Sequence, residues 1–191
     1  MLTAPQIQLM RYRKSLAINS LKILKEIKTV KSTNYFFDFT TDLQGQILDA
    51  NRATVDYDTM SGPLTATLTH GVGNCDEKAR LCWAGIRNKP GLLPNHQCML
   101  CAGVDYDHVF VVIADAAIAH GVNTTLGALG VTAIVIDGWT EDWYFPNIPA
   151  WDLIKNIEFL NTPNPRQTIV RSRTRAAQIE NYESGGLINN T

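Results

Sequence analysis

The sequence has few histidines and cysteines, four of each among 191 residues, and it has no long apolar run. A bilayer-spanning helix needs about 20 predominantly apolar residues, so we expect no transmembrane segment. The first 31 residues lack the apolar stretch and small-residue cleavage site of a secretory signal, which predicts synthesis in the cytosol. Four cysteines in a chain long enough to bury a core do not indicate a small disulfide-stapled fold.

The length and composition are those of one globular domain. Hydrophobic residues make up 45% of the chain, which is enough to build a core. Beyond Asn161 the sequence turns polar and ends in Gly- and Asn-containing segments. We therefore predict a single domain over residues 1–165, including the N-terminal helix, and a partly disordered tail over residues 166–191.

Charge is unevenly distributed, although the formal net charge is only −1. Residues 1–31 contain seven Lys and Arg and one acid, whereas residues 32–165 contain six basic and fifteen acidic residues. A basic helix is able to contact nucleic acid or an anionic membrane. We favour the alternative in which the helix packs on the acidic body. We expect no nucleic-acid partner, and membrane contact through residues 1–31 is not favoured.

Hydrophobic periodicity predicts a mixture of helices and strands. An amphipathic helix runs from Pro5 to about Val30, and a second helix runs from Cys75 to about Asn88, where Lys-Pro-Gly follows. Continuous apolar runs predict buried strands at residues 108–114 and 131–136. Shorter patterns predict strands at 34–39 and 143–145, a loop at 115–130 and a helix at 151–160. Residues 40–70 give no clear pattern.

Cys98 and Cys101 form a C-x-x-C pair, with His96 nearby. A second ligand pair at zinc-finger spacing is absent, and the pair does not open a helix after a strand as a redox motif does. A metal site on these three residues is one alternative. We favour two half-buried thiols that lead into a strand, and we expect neither a metal nor a cofactor.

Cys75 is the candidate nucleophile. A thiol reacts as its thiolate, which is favoured at a helix N-terminus and beside an imidazolium. Gly71-Val72-Gly73-Asn74 leads into the helix that begins at Cys75. Taken alone, a cysteine on an apolar helix face is more often part of the core. The assignment therefore depends on partners brought to it by the fold.

Those partners are predicted to be His108 and Asp137. His108 begins one buried strand and Asp137 ends the next, so antiparallel pairing places the two side by side. A carboxylate in that position fixes the imidazole tautomer. Three other acids are closer to His108 in sequence but are less well placed than Asp137. Asp105 and Asp107 precede His108 on the same chain segment, and Asp115 lies at the far end of the strand that His108 begins. Asn74 and His70 are both candidates to donate a hydrogen bond to the oxyanion, and the sequence does not choose between them.

The segments around these residues resemble papain-like and transglutaminase-like cysteine enzymes, most closely the proteases and deamidases among bacterial secreted effectors. Members of that group typically contain the segments Gly-Asn-Cys-Gly-Glu, Asp-His-Val-Phe and Asp-Pro-Trp. The corresponding segments here are Gly73-Asn74-Cys75-Asp76-Glu77, Asp107-His108-Val109-Phe110 and Asp137-Gly138-Trp139. Asp76 replaces the usual Gly, and Gly138 replaces the usual Pro. The resemblance covers residues 73–139.

The resemblance implies an α+β papain-like core, in which a helix carrying Cys75 packs on an antiparallel sheet carrying His108 and Asp137. It implies acyl transfer on a protein substrate by peptide hydrolysis, glutamine deamidation or transglutamination, between which the sequence does not choose. It also implies a host protein as substrate and delivery into a host cell by a specialised secretion system. The alternative is a catalytically inactive adaptor that uses its basic N-terminal helix.

Overall fold

The computed structural model describes residues 2–26, 39–88, 97–148 and 165–173. Over these residues the protein is a mixed α+β fold in which four helices accompany a six-stranded antiparallel sheet. The helices are α1 (Ala4–Glu26), α2 (Phe39–Thr54), α3 (Ser61–His70) and α4 (Cys75–Arg87). The strands are β1 (Gln97–Gly103), β2 (Val109–Ala114), β3 (Asn123–Thr125), β4 (Ile134–Asp137), β5 (Asp142–Tyr144) and β6 (Ile169–Ser172). Their order across the sheet is β3-β6-β1-β2-β4-β5.

Strands β2 and β4 lie near the middle of the sheet, and every residue in both is buried. This agrees with the continuous apolar runs from which they were predicted. Val111 lies opposite Ile136, and Ile113 lies opposite Ile134. The antiparallel register therefore brings the start of β2 beside the end of β4.

The sheet separates two hydrophobic clusters. On one face, alternate residues of β1, β2 and β4 pack with α1, α3 and α4, and Trp83 and Ile86 of α4 are fully buried there. On the other face, Phe110 and Val112 pack with Leu126 from the single-turn helix after β3. Because side chains alternate along a strand, each inner strand supplies both clusters. The helix that carries Cys75 is thus held directly against the sheet.

Helix α1 is attached to the body by an apolar stripe and one buried cation. Its inward face contributes Leu16, Ala17, Leu21 and Leu24 to the helix-side cluster. The Arg13 side chain is fully buried, and its Nη1 donates to the carbonyl and hydroxyl oxygens of Thr132 at 2.9 Å each. Its Nη2 forms an ion pair with Asp115. None of the described helices is both long and apolar enough to cross a membrane.

Several predicted elements are confirmed with small changes in their limits. Helix α4 ends at Arg87, one residue before the predicted end. Strand β2 begins at Val109, directly after His108, and β5 spans Asp142–Tyr144. Strand β4 begins later than predicted, since Val131 and Thr132 lie in a turn closed by the hydrogen bond from Ala133 N to Gly130 O at 3.1 Å.

Other predictions need correction. Residues Ile169–Ser172, placed in a C-terminal tail from sequence, form a strand between β1 and β3 in which Val170 and Ser172 are buried, and residues 174–191 lie outside the described residues. The unassigned residues 40–70 contain α2 and α3, and Phe39, placed in a strand from sequence, begins α2. The rest of that predicted strand, the predicted helix at 151–160 and the end of the N-terminal helix after Glu26 lie outside the described residues.

Candidate active site

Cys75 is the first residue of α4 and lies partly exposed at its N-terminus. Asn74, just before it, is extended, and Gly71 ends α3 with a φ of 67°, a left-handed conformation that favours glycine. The short link between α3 and α4 therefore turns sharply and delivers the thiol to the start of the helix. The first N–H groups of a helix have no intrahelical acceptor, so they point into the space beside the sulfur.

His108 and Asp137 are in direct contact, as predicted. The Nε2 atom of His108 lies 2.8 Å from Oδ2 of Asp137, and both side chains are buried. The other oxygen of Asp137, Oδ1, accepts from the backbone N–H groups of Trp139 at 2.8 Å and Thr140 at 3.4 Å. The turn after β4 thus fixes the carboxylate, and the carboxylate fixes the imidazole.

The thiol of Cys75 lies close enough to the imidazole of His108 to raise the pKa of that histidine through hydrogen bonding and charge. The imidazole is thus influenced by Asp137, which it contacts through Nε2, and by Cys75. The three predicted residues are therefore brought together in the order Cys75, His108, Asp137. Asp115, the rival at the far end of β2, pairs with Arg13 instead.

The electrostatics of the site favour an imidazolium. Burial alone would lower the pKa of His108, but hydrogen bonds to Asp137 and Cys75, together with the charges of those groups, raise it from 6.5 to about 9. The other thiols behave differently. Burial raises the pKa of Cys82 and of Cys101 to about 12, and it raises that of Cys98 further. Only Cys75 combines exposure with a basic partner.

Aromatic rings surround the imidazole. The ring of Tyr106 stacks beside that of His108 at a centroid distance of 6.5 Å, and the ring of Phe110 lies 5.8 Å away on the same strand. Tyr106 belongs to the β1–β2 hairpin turn, and its backbone oxygen accepts from the His108 N–H at 3.0 Å. No sequence pattern identifies Tyr106, because its contact with the imidazole depends on the conformation of the turn.

Gly138 allows the turn after β4 to approach α4. A Cβ at this position would lie 3.0 Å from the carbonyl carbon and oxygen of Lys78. Such a contact is tight against backbone, so a larger residue would require the helix and the turn to shift apart. The ammonium of Lys78 lies 5.8 Å from the ring centroid of Trp139. Gly138 thus lets the Asp137 turn lie against the helix that carries Cys75.

Asp76 and Glu77 lie in the first turn of α4, and both are buried. Asp76 pairs with Arg80 at 3.2 Å and with Arg173, just after β6, at 3.3 Å. Asp76 therefore joins the start of α4 to the end of β6. Glu77 has a separate set of partners, which the sequence reading missed.

The two cysteines of the C-x-x-C pair belong to the hydrophobic core. Cys98 and Cys101 are fully buried, not half-buried, and lie on opposite faces of β1, one in each hydrophobic cluster. His96 lies outside the described residues. Among those that are described, no group of three or more His, Cys, Asp or Glu side chains is arranged to hold a metal ion.

His70, one of the two candidate oxyanion donors, ends α3 with an exposed side chain.

Comparisons with protein-family models, with curated proteins and with solved structures found no significant match to this chain. The features that bear on function are the geometry of Cys75, His108 and Asp137 and the three motifs that contain them.

Proposed function

We propose that this protein is a cysteine acyl-transfer enzyme with a papain-like arrangement of Cys75, His108 and Asp137. The observation that carries the proposal is the position of the His108 imidazole, which lies 2.8 Å from the Asp137 carboxylate and has its pKa raised by both that carboxylate and the Cys75 thiol. A histidine held between a carboxylate and a thiol at a helix N-terminus is suited to proton transfer during nucleophilic catalysis.

In the first half-reaction, the Cys75 thiolate attacks the carbonyl carbon of a peptide or carboxamide. A C–S bond forms and the carbonyl π electrons move to oxygen, where backbone N–H groups at the start of α4 stabilise the charge. The His108 imidazolium gives its proton to the leaving nitrogen as the C–N bond breaks. Ammonia or an amine departs, and an acyl thioester on Cys75 remains.

In the second half-reaction, the neutral imidazole of His108 removes a proton from water or from an amine. The oxygen or nitrogen then attacks the thioester carbonyl, and the C–S bond breaks to return the thiolate. Asp137 stabilises the imidazolium, which is present at the start of the first half-reaction and forms again in the second. Peptide hydrolysis, glutamine deamidation and transglutamination all follow this scheme and differ in leaving group and acceptor.

A protein substrate is part of the proposal, and the motif resemblance to secreted effectors supports a host protein in that role. The rival reading as an adaptor with a free basic helix receives less support, because Arg13 and the apolar stripe of α1 are buried against the body.

The proposal is tested by incubating wild-type protein and the Cys75→Ala variant with cell lysate and comparing the resulting peptides by mass spectrometry. The wild type should produce a defined set of products: new termini for hydrolysis, glutamate in place of glutamine for deamidation, or cross-linked peptides for transglutamination. The variant should fold normally, since alanine favours helix, and should lose about a thousandfold or more in rate. Equal products from the two proteins would reject the enzyme assignment.

A further inference from the structure

Glu77 is a buried carboxylate in the first turn of the helix that carries Cys75, and its side chain is only 1% exposed. It accepts hydrogen bonds from Arg52 Nε at 3.0 Å and Arg52 Nη2 at 3.1 Å. The hydroxyl of Tyr57 donates to it at 2.7 Å, and the backbone N–H of Asn74 donates at 2.8 Å. Four donors from three separate segments therefore converge on one carboxylate.

These partners keep Glu77 charged despite its burial. Burial alone would raise the pKa of its carboxyl, but the hydrogen bonds from Arg52, Tyr57 and Asn74 and the charge of Arg52 lower it overall. Arg52 comes from α2 and Tyr57 from the segment between α2 and α3. The bond to Asn74 is the helix-capping part of this network, whereas the bonds to Arg52 and Tyr57 tie the same carboxylate to two other segments.

The bond to Asn74 links this network to the reacting sulfur. The Asn74 N–H belongs to the Gly73–Asn74 peptide, one peptide before Cys75, so the bond from this N–H to Glu77 holds the backbone that leads into the nucleophile. The course of that backbone helps to set where the sulfur lies relative to the imidazole of His108. An error of about 1 Å in placing a reacting group costs on the order of a hundredfold in rate.

We propose that Glu77, supported by Arg52 and Tyr57, is the positioning residue that aims the Cys75 thiol at His108. The inference rests on the proposed function and adds to it the residues that set the geometry of the nucleophile. Arg52 and Tyr57 act through Glu77 and do not touch the substrate. The network also explains why α2, which is distant in sequence from the three reacting residues, belongs to the same functional unit.

The test measures the rate of Cys75 alkylation by iodoacetamide from pH 5 to pH 9, with thermal melting of each variant in parallel. Glu77→Gln keeps the size of the side chain and an acceptor for the Asn74 N–H but loses the charge that orients Arg52. We expect alkylation at pH 6 to slow by about tenfold or more, with the pH profile moving toward that of an ordinary thiol. Tyr57→Phe keeps the Arg52 bonds, and we expect a slowing of about threefold.

Asp115→Asn is the matched control, because it removes one charge from an Arg–Asp pair at the opposite end of the sheet. It should lower the melting temperature and leave the alkylation profile as in wild type. If Glu77→Gln does not fold, the alkylation profile of Tyr57→Phe tests the positioning role. Wild-type alkylation profiles in all folded Glu77 and Tyr57 variants would overturn the positioning role while leaving the proposed function intact. Failure of wild-type Cys75 to react selectively would instead overturn the proposed function, and the positioning role with it.

Discussion

The two ends of the β2–β4 pair carry acids with opposite characters. At one end, Asp137 is buried and holds His108, whose imidazole can both accept and donate a proton. At the other end, Asp115 has a side chain that is 60% exposed and pairs with Arg13, whose guanidinium stays protonated. One end has a titratable base beside a thiol, and the other has a fixed cation beside a backbone carbonyl.

The difference shows that the same pair of strands carries the candidate active site at one end and the attachment of α1 at the other. The Arg13 pair fastens α1 to the sheet and has no group that can transfer a proton, whereas the His108 pair lies in reach of Cys75. An acid next to a cation at the end of a buried strand is thus insufficient to identify a catalytic site. A catalytic site is identified by the kind of cation that pairs with the acid and by the presence of a nucleophile beside that cation.

The largest expected difference between the two ends is in reactivity. Asp137→Asn keeps the size of the side chain but no longer fixes the imidazole tautomer, so turnover should fall by about a hundredfold or more. Alkylation of Cys75 at pH 6 should slow as well. Asp115→Asn should leave both rates at wild-type values. Equal effects of the two substitutions would show that Asp137 is a structural acid only.

The second difference is in the pH dependence of stability. Because the folded protein raises the pKa of His108 from 6.5 to about 9, the stabilisation is fully present below pH 6.5 and is lost as the pH rises through about 9. The loss should be up to about 3 kcal/mol of the free energy of unfolding. Urea unfolding at pH 6 and pH 10 measures it. His108→Gln should remove most of this decrease, while Arg13→Met should retain it.

The third difference is in stability at constant pH. Arg13→Met keeps much of the aliphatic volume but leaves the Thr132 carbonyl without its buried donor, so unfolding should become easier by about 2 kcal/mol. The exposure of Asp115 limits the loss, because water solvates the carboxylate that remains. Urea titration gives the value. Cys75 alkylation should not change in the folded variant, and a parallel loss of reactivity would show that α1 supports the site.

Much of the site was predictable because its elements have strong local signals. The apolar runs ending at Ala114 and Ile136 identified β2 and β4, and antiparallel pairing then placed His108 beside Asp137. The Gly-rich approach to Cys75 and the Lys-Pro-Gly after Asn88 marked the limits of α4. These signals depend only on residues close in sequence.

What was missed depends on contacts between residues far apart in sequence. Strand β6 is short, contains Arg171 and is half-exposed, so only its pairing with β1 and β3 reveals it. The Glu77 network joins residues 20 and 25 positions apart, and no periodicity encodes such a contact. The one local signal was the Asn74-x-x-Glu77 spacing, which resembles a helix capping box.

The central claim is that His108 activates one thiol among four, and competitive alkylation of the native protein tests it most directly. Limiting iodoacetamide at pH 6, followed by peptide mapping, gives the relative rate at each cysteine. The account predicts that Cys75 reacts at least about a hundredfold faster than Cys82, Cys98 and Cys101, and that His108→Ala removes most of this advantage. A Cys75 rate that is unchanged in a folded His108→Ala variant would contradict the account.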